Sequence, residues 1–408
     1  MEQNNKKQEP WICCHLGARA HYQFARALYS GDILKSLITD VWVRDNFLIK
    51  ILRNIASSGI VKKLLQRYHP SLSHVKVYSF SLAGIYFEVS NRLQKLSGWN
   101  LTIKRNNWFQ EKTSQIIKLK YPGQNEILFS FAYTALKPFE YAKSKGWRTV
   151  LYQIDPGIEE ENIVKLENSN VKNSDWVAAP TKYWEDWQKE CSLADRIIVN
   201  SEWSKHALLK QNIPGEKIKV IPLAHEPSKE SLNFERKYPE YFSKDNPMKI
   251  LFLGTLTVRK GMRPLMEAIN LMKSEPVEFW FVGNQEMQIE ENKQVRYFPH
   301  VSREDTAEFY KKADVFIFPT LSDGFGLTQL EAFEWKLPVI NSRYCGEVVE
   351  DGINGIVLPD VSAQSITVAL RICLTNPSRL KGFSENTKAR LDQYSLKNLS
   401  QGLFEIFN

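Results

Sequence analysis

The chain has 408 residues, enough for two domains of ordinary size, and 43% of them are apolar, so each domain can bury a core. Charged residues make up 25% and the net charge is +8, which favours anionic partners such as nucleic acid, anionic lipid or phosphorylated substrates. The five cysteines form no CxxC pair, the first ten residues (MEQNNKKQEP) are polar, and no apolar run approaches the roughly 18 residues a membrane span needs. The expectation is a cytoplasmic protein with reduced thiols, no zinc site, no leader and no transmembrane helix.

Trp11–Leu16 (WICCHL) reads as a first buried strand, followed by Gly17 and a helix over residues 20–29 that ends at Gly31. A lone glycine there is a weak sign of a phosphate loop, and an ordinary strand-to-helix turn explains it better. Residues 44–70 carry Arg44, Lys50, Arg53, Lys62, Lys63 and Arg67 against one acid, Asp45. Their apolar residues recur at helical spacing (Phe47, Ile51, Ile55, then Val61, Leu64, Leu65). Such a helix either packs on its own domain with a solvated basic face or touches an anionic membrane peripherally, at the inner face. The aromatic-rich stretch from Phe80 to Glu111 suits an acceptor cleft or plain packing.

Strand-like runs follow at Ile127–Phe131, Thr149–Gln153, Arg196–Asn200 and Ile218–Pro222, with helical stretches such as Leu136–Ser144 and Ser201–Gln211 between them. This alternation predicts a mostly parallel, doubly wound sheet, whose ligands bind at the C-terminal strand ends. Asp155, in QIDPG, lies at one such end, and Ser201, also readable as a helix N-cap, at another. Residues 227–247 are polar with three prolines and read as a linker. The alternation then restarts with Lys249–Leu253, Val277–Val282, Val315–Phe318, Val339–Asn341 and Ile356–Leu358. The predicted architecture is α/β: two Rossmann-like doubly wound domains facing a cleft, over residues 1–228 and 229–388. A C-terminal helix over 389–408 is expected to pack back toward the first domain.

Ser322–Pro338 (SDGFGLTQLEAFEWKLP) reads as a glycine loop and a helix after the Val315–Phe318 strand. Gly324 and Gly326 permit a tight turn, and the helix start at Gly326, Leu327 and Thr328 offers backbone N–H groups and a positive dipole end to an anion. Two carboxylates, Asp323 and Glu331, bracket that site. They repel phosphate, so hydroxyls are their natural partners, and an anion joined to a polyol is a sugar phosphate or a nucleotide-sugar. The turn Gly254–Gly261 (GTLTVRKG) brings Arg259 and Lys260 to the same crevice, where guanidinium and ammonium groups neutralise a diphosphate. Taken singly, each of these is explained by a solvated turn or an exposed helix carboxylate; together, at equivalent strand ends, they favour one site.

The spacing Asp323-x7-Glu331 within SDGFGLTQLEAFEWKLPVI resembles the E-x7-E motif of family 4 glycosyltransferases with the GT-B fold. ADRIIVNSEWSKHAL followed by IKVIPLAHE resembles the end of that family's first domain, and LFLGTLTVRKG the start of its second. FWFVG, YKKADVFIFPT and GEVVEDGINGIVLP fall in the family's order, so the likeness spans roughly Ala194 to Pro359. The resemblance implies a retaining transferase without cofactor or metal. Its C-terminal domain would hold a UDP-, GDP- or ADP-linked sugar, and its N-terminal domain a saccharide, glycolipid or other lipid-linked polysaccharide precursor. Lys260 and Arg259 then match diphosphate-binding positions and Glu331 the ribose-binding carboxylate. Asp323 takes the place of the glutamate that contacts the donor sugar, and Gly324, Phe325, Gly326 and Leu327 match the loop whose amides meet phosphate and sugar. Gly254 and Thr255 open the donor domain's first turn, with Thr255 where many members have a second phosphate-binding arginine. The first domain offers no match to the family's mid-domain histidine; Asp155 is the candidate for that place, with His15 and His21 near Gly17 as others, and Gly17 and His21 are expected on the acceptor side. A nucleotide-sugar epimerase and a non-catalytic nucleotide-sugar-binding partner are the alternatives. A nucleic-acid binder rests on net charge alone, with no RNA-binding motif behind it.

Overall fold

A computed structural model of the chain describes residues 9–44, 67–123, 125–169, 176–287, 291–299, 301 and 303–407. Most of the basic segment predicted at 44–70 lies outside them, from 45 to 66. Seven strands form a first sheet: β1 Trp11–His15, β2 Leu34–Thr39, β3 Val77–Ser79, β4 Ile127–Phe131, β5 Arg148–Tyr152, β6 Arg196–Val199 and β7 Ile218–Val220. Six form a second: β8 Met248–Leu253, β9 Val277–Val282, β10 Val295–Phe298, β11 Val315–Phe318, β12 Val339–Asn341 and β13 Gly355–Val357. The orders are β3-β2-β1-β4-β5-β6-β7 and β10-β9-β8-β11-β12-β13. Neighbouring strands run parallel throughout.

Parallel sheets are covered by helices on both faces, so their central strands have no wet side. All residues of β1, β4 and β11 are buried accordingly. This is why WICCH, ILFSF and VFIF are continuous apolar runs and not alternating ones. One apolar cluster runs from the first sheet (Phe24, Phe129, Tyr152) through Leu399 and Leu403 to the second (Phe316, Phe325, Leu330). The two sheets therefore share a core along the edge of their crevice.

The helix Leu396–Phe404 contributes to that shared core: it buries Leu399 and Leu403 and its Ser400 hydroxyl donates to the Ala27 carbonyl at 2.9 Å. Beyond it, the Phe407 ring lies under the guanidinium of Arg148, 4.1 Å away, and Arg196 donates to the Ile406 carbonyl. The chain end is thus fastened to the first sheet.

Two segments differ from their sequence reading. The helix expected over 20–29 begins only at Gln23, because Ala20, His21 and Tyr22 adopt left-handed φ values of 45°, 50° and 57°. Left-handed backbone costs a non-glycine residue roughly 1–2 kcal/mol. Offsetting it, the fully buried Tyr22 ring packs edge-on against His15 and Trp42, at 5.0 and 5.3 Å. The stretch read as a linker, 227–247, lies against the second domain and is not a free tether. There Arg236 donates to the carbonyls of Trp335, Lys336 and Tyr310, filling acceptors that a helix end leaves open.

Candidate functional site

Each sheet reverses its strand order once. From β8 the chain moves outward to β9 and β10, and on its return places β11 on the other side of β8; β1 and β4 stand in the same relation in the first sheet. The loops leaving two such strands diverge and open a crevice at their C-terminal ends, the usual ligand site of an open α/β sheet. In the second sheet these loops are Gly254–Gly261 after β8 and Pro319–Leu327 after β11.

The two loops are locked together. The Leu321 amide donates to the Arg259 carbonyl at 2.8 Å, and the Thr320 hydroxyl donates to the same oxygen at 3.1 Å. That fixes Arg259 and Lys260 above the second loop. The Lys260 ammonium pairs with Asp323 Oδ2 and sits 4.5 Å over the Phe318 ring. Arg259 Nη1 reaches the Ser322 carbonyl at 2.8 Å, Asp323 Oδ2 at 3.3 Å and Glu160 Oε2 at 3.4 Å. Asp323 Oδ1 accepts from the Phe325 amide at 3.0 Å. Burial opposes ionisation of Asp323, but the Lys260 and Arg259 charges outweigh it and hold the carboxyl down to about 2. Desolvation lowers the Lys260 ammonium from its ordinary value, against the pull of Asp323.

The first domain grips the same loop. Gly324 passes so close to it that a Cβ would stand 2.1 Å from the Ile154 carbonyl oxygen. The Ser201 hydroxyl donates to the Gly324 carbonyl at 2.9 Å while accepting from the Ser204 amide as a helix N-cap. Ser322 Oγ accepts from the Trp203 indole at 3.2 Å and donates to Glu160 Oε2 at 3.2 Å. Burial pushes the Glu160 carboxyl up to about 7, with Arg259 pulling the other way and Asp155 and Asp323 adding to the rise.

Between the domains lies a cavity of about 370 Å³. Its first-domain wall includes Arg19, Phe131, Tyr152 and Asn200; Thr257 and Phe318 stand opposite. Of the residues singled out by sequence, Gly254, Thr255, Arg259, Lys260, Asp323, Phe325, Gly326, Leu327 and Thr328 also line it. Three buried side-chain oxygens among the lining residues, Thr257 Oγ1, Thr328 Oγ1 and Asn200 Oδ1, have no hydrogen-bond partner among the described residues. A buried polar atom left unpaired costs about 1–3 kcal/mol, which a polar occupant of the cavity would relieve.

Of the expected members, Glu331, His21, Asp155, Gly17 and Gly324 are not among the residues lining this cavity. Glu331 accepts from the Tyr310 hydroxyl at 2.9 Å and faces a second cavity of about 390 Å³. That cavity is shared with His21, Arg26 and His225, and Ala20 and Leu327 form the ridge common to both cavities. Asp155 is a turn anchor outside either wall: its Oδ1 accepts from the Tyr133 hydroxyl (2.6 Å), Gln153 Nε2 (2.8 Å) and the Gly157 amide (2.9 Å). Gly17, with φ of +86°, donates its amide to Asp40 at 3.0 Å, away from the interdomain cavity. Sequence reading missed Glu160, Arg19, Asn200 and Thr257. Glu160, in the acidic first turn GIEEE, looks like an ordinary dipole-complementing residue. Among the described residues no cluster of His, Cys, Asp and Glu could hold a metal ion.

Residues 247–376 match the family model described as "Glycosyl transferases group 1". The chain is 25% identical over 239 residues to the capsular polysaccharide biosynthesis glycosyltransferase CapM of Staphylococcus aureus, covering 53% of this chain and 62% of that protein. It is 24% identical over 204 residues to the amylovoran biosynthesis glycosyltransferase AmsK of Erwinia amylovora, covering 45% and 49%. The matches thus span about half the length of these curated relatives. Among solved structures it is similar to Anabaena HepE in complex with UDP-glucose (TM-score 0.60, 14% identity, 98% of this chain and 99% of that one). It is also similar to sucrose-phosphate synthase from Thermosynechococcus elongatus (TM-score 0.65, 14% identity, 98% of each). At these identities the likeness is one of fold: the chain has the GT-B fold, two Rossmann-like parallel-sheet domains facing a crevice.

Proposed function

We propose that the protein is a retaining glycosyltransferase of the E-x7-E type that moves a sugar from a nucleotide-diphosphate sugar to a hydroxyl of a saccharide or lipid-linked acceptor. The observation that carries this reading is the convergence of Arg259 and Lys260 on Asp323 at the wall of a cavity with unpartnered buried hydroxyls. Two cations held at a switch point are placed to bind a diphosphate, beside the carboxylate of Asp323. The relatives named for capsular polysaccharide and amylovoran biosynthesis, and the HepE complex with UDP-glucose, support the same direction.

In this reading Lys260 and Arg259 bind the diphosphate and stabilise the charge that grows on it as the glycosidic bond breaks, a differential interaction with the transition state. Asp323, ionised throughout the working pH range, turns from the cations to hydroxyls of the transferred sugar. Gly254, Thr255, Phe325, Gly326, Leu327 and Thr328 form the walls of the donor site, and Gly324 holds their loop against the first domain. Glu331, beyond the Leu327 ridge, meets the ribose of a nucleotide that spans both cavities. The acceptor enters from the first domain's side. The C1–O bond to the β-phosphate breaks, the new C1–O bond forms on the same face, and the acceptor proton passes to the leaving phosphate oxygen. No protein base is needed, which fits the turn-anchoring role of Asp155. No cofactor or metal enters the scheme, and a cytoplasmic site of action, peripheral at the inner membrane face, suits lipid-linked acceptors. No helix among the described residues is long and apolar enough to cross a membrane.

A thermal-shift screen against UDP, GDP, ADP and their sugars identifies the donor, because stabilisation follows the logarithm of ligand concentration over Kd. Nucleoside diphosphate release is then measured with and without acceptor. Lys260→Ala is expected to lower kcat/KM at least about a hundredfold, and Glu331→Ala to raise the donor KM. Wild-type turnover by Lys260→Ala would remove the diphosphate from this site.

A further inference from the structure

A third cavity, of about 600 Å³, opens beyond the C-terminal ends of β1 and β2, under the helices Ser81–Leu93 and Gly98–Lys120. Its charged lining is four arginines (Arg19, Arg67, Arg92, Arg105) against two carboxylates (Asp40, Glu88). Both carboxylates are already engaged. Arg67 Nη1 contacts the two Asp40 oxygens at 3.1 Å each, and Arg105 holds Glu88 through two bonds of 2.7 and 2.8 Å. Arg19 and Arg92 have no ion pair among the described residues, so the cavity keeps two surplus positive charges. Arg19 also lines the interdomain cavity, so the two spaces adjoin at that residue.

The rim of this cavity is apolar in an uncommon way. Leu82, Ile85, Tyr86, Val89 and Leu93 fall on one stripe of the helix Ser81–Leu93, at spacings of three and four residues. All five are exposed, Leu82 at 87% and Leu93 at 80%. Ile85 and Val89 belong to both the stripe and the cavity wall. Cationic pocket and bare hydrocarbon stripe are therefore one continuous surface. A small soluble anion would use only the first, and an uncharged apolar partner only the second.

We infer that this surface binds the acceptor, and that the acceptor is an anionic lipid, a phosphate- or diphosphate-bearing chain with its charged group against Arg19 and Arg92 and its hydrocarbon along the Leu82–Leu93 stripe. The inference rests on the glycosyltransferase reading for the word acceptor, but not for the binding itself. It places the lipid's phosphate end toward Arg19, and so the attached hydroxyl group toward the donor cavity.

The test is calorimetric titration of the full chain with three probes below their micelle concentrations: dodecyl phosphate, dodecyl maltoside and glucose 1-phosphate. Dodecyl phosphate is expected to bind at least about tenfold more tightly than either of the others, since only it uses both charge and chain. Arg92→Gln is expected to weaken dodecyl phosphate about tenfold. Leu82→Ser with Leu93→Ser is expected to weaken it similarly while leaving glucose 1-phosphate unchanged; these side chains are exposed enough to change without loss of folding. Equal binding of dodecyl maltoside would reduce the surface to apolar adhesion and overturn the inference. Equal binding of glucose 1-phosphate would replace the lipid by a soluble sugar phosphate, and an unaffected Arg92→Gln would move the site elsewhere; both overturn it. Nucleoside diphosphate release from the donor without acceptor reads the other cavity independently. Its failure overturns the transferase reading and leaves the lipid result standing; failure of lipid binding with release intact overturns only the inference.

Discussion

In the proposed reading, the pairing of Asp323 with Lys260 and Arg259 makes the donor site self-competing, and Asp323→Asn exposes that competition. Asparagine keeps the shape of the side chain and, through Oδ1, the bond from the Phe325 amide. It replaces Oδ2, the oxygen on which both cations converge, by an amide NH2 that repels them. The displacement of the Asp323 carboxyl from 3.8 to about 2 corresponds to about 2 kcal/mol in favour of the ionised, paired form. Side-chain exposures of 13% for Lys260 and 16% for Asp323 leave little room for solvent to screen it. The sign with pH follows: a carboxyl depressed in the folded state adds stability above its unfolded value of 3.8 and loses it as pH falls toward 2. Asp323→Asn is therefore expected to cost about 2 kcal/mol in denaturant unfolding at pH 7, and the difference from wild type should shrink below pH 4. For a nucleoside diphosphate the effect is opposite. Wild-type cations must leave Asp323 to reach the phosphates, whereas in the variant they are free. Calorimetric titration with the nucleoside diphosphate chosen by the screen should show about tenfold tighter binding to Asp323→Asn, using somewhat over half of the pairing energy. On the proposed reading, in which the carboxylate meets hydroxyls of the sugar, sugar transfer should fall. Unchanged or weaker diphosphate binding in the variant would refute the idea that Asp323 and phosphate compete for the same cations.

Glu160 gives a pH dependence of the other sign. Its carboxyl is raised from 4.5 to about 7, so the folded state holds that proton more tightly, and wild-type stability declines as pH rises through this window. Glu160→Gln should gain up to about 3 kcal/mol relative to wild type between pH 4 and pH 8, less what the Arg259 contact contributes. Unfolding measured at both pH values checks it, and a flat difference would show the carboxylate to be fully compensated by Arg259. Gly324→Ala drives a methyl into the Ile154 carbonyl, 2.1 Å from the Cβ position, and should cost about 1–3 kcal/mol by forcing the two domains apart. Its melting temperature should fall and the donor KM rise together; a variant as stable as wild type would mean that the domains separate freely at this contact.

The fold was legible because parallel strands buried on both faces leave unbroken apolar runs. WICCH, ILFSF, RIIV and VFIF all read as strands for that reason, and all are strands. Local rules failed where tertiary packing overrode them. Nothing in RAHYQF forbids a helix from residue 20, yet burial of Tyr22 between His15 and Trp42 holds three residues left-handed. Residues 227–247 are polar enough for a tether, but the polarity of Arg236 is spent on carbonyls of the second domain.

The candidate site was legible in its cations and its glycines. Arg259, Lys260 and Asp323 were findable because each lies in the loop that follows a strand of the second sheet, and β8 and β11 are neighbours. The spacing Asp323-x7-Glu331 gives the two carboxylates separate places: Asp323 precedes the helix Thr328–Glu334 and lines one cavity, Glu331 lines the other, and Leu327 stands between them. What sequence could not supply is the first domain's share. Glu160 and Ser201 meet the Ser322–Gly324 loop across more than a hundred residues of chain, and an N-cap serine or a first-turn glutamate carries no mark of a distant partner. Those contacts tie the first domain to the Ser322–Gly324 loop. Each bonds to loop atoms one residue away from Asp323, so any motion that opens the crevice also pulls on the carboxylate that holds the two cations. On the proposed reading, donor entry and release of Lys260 from Asp323 are one event, and a substitution at Gly324, outside both cavity walls, is expected to change the donor KM.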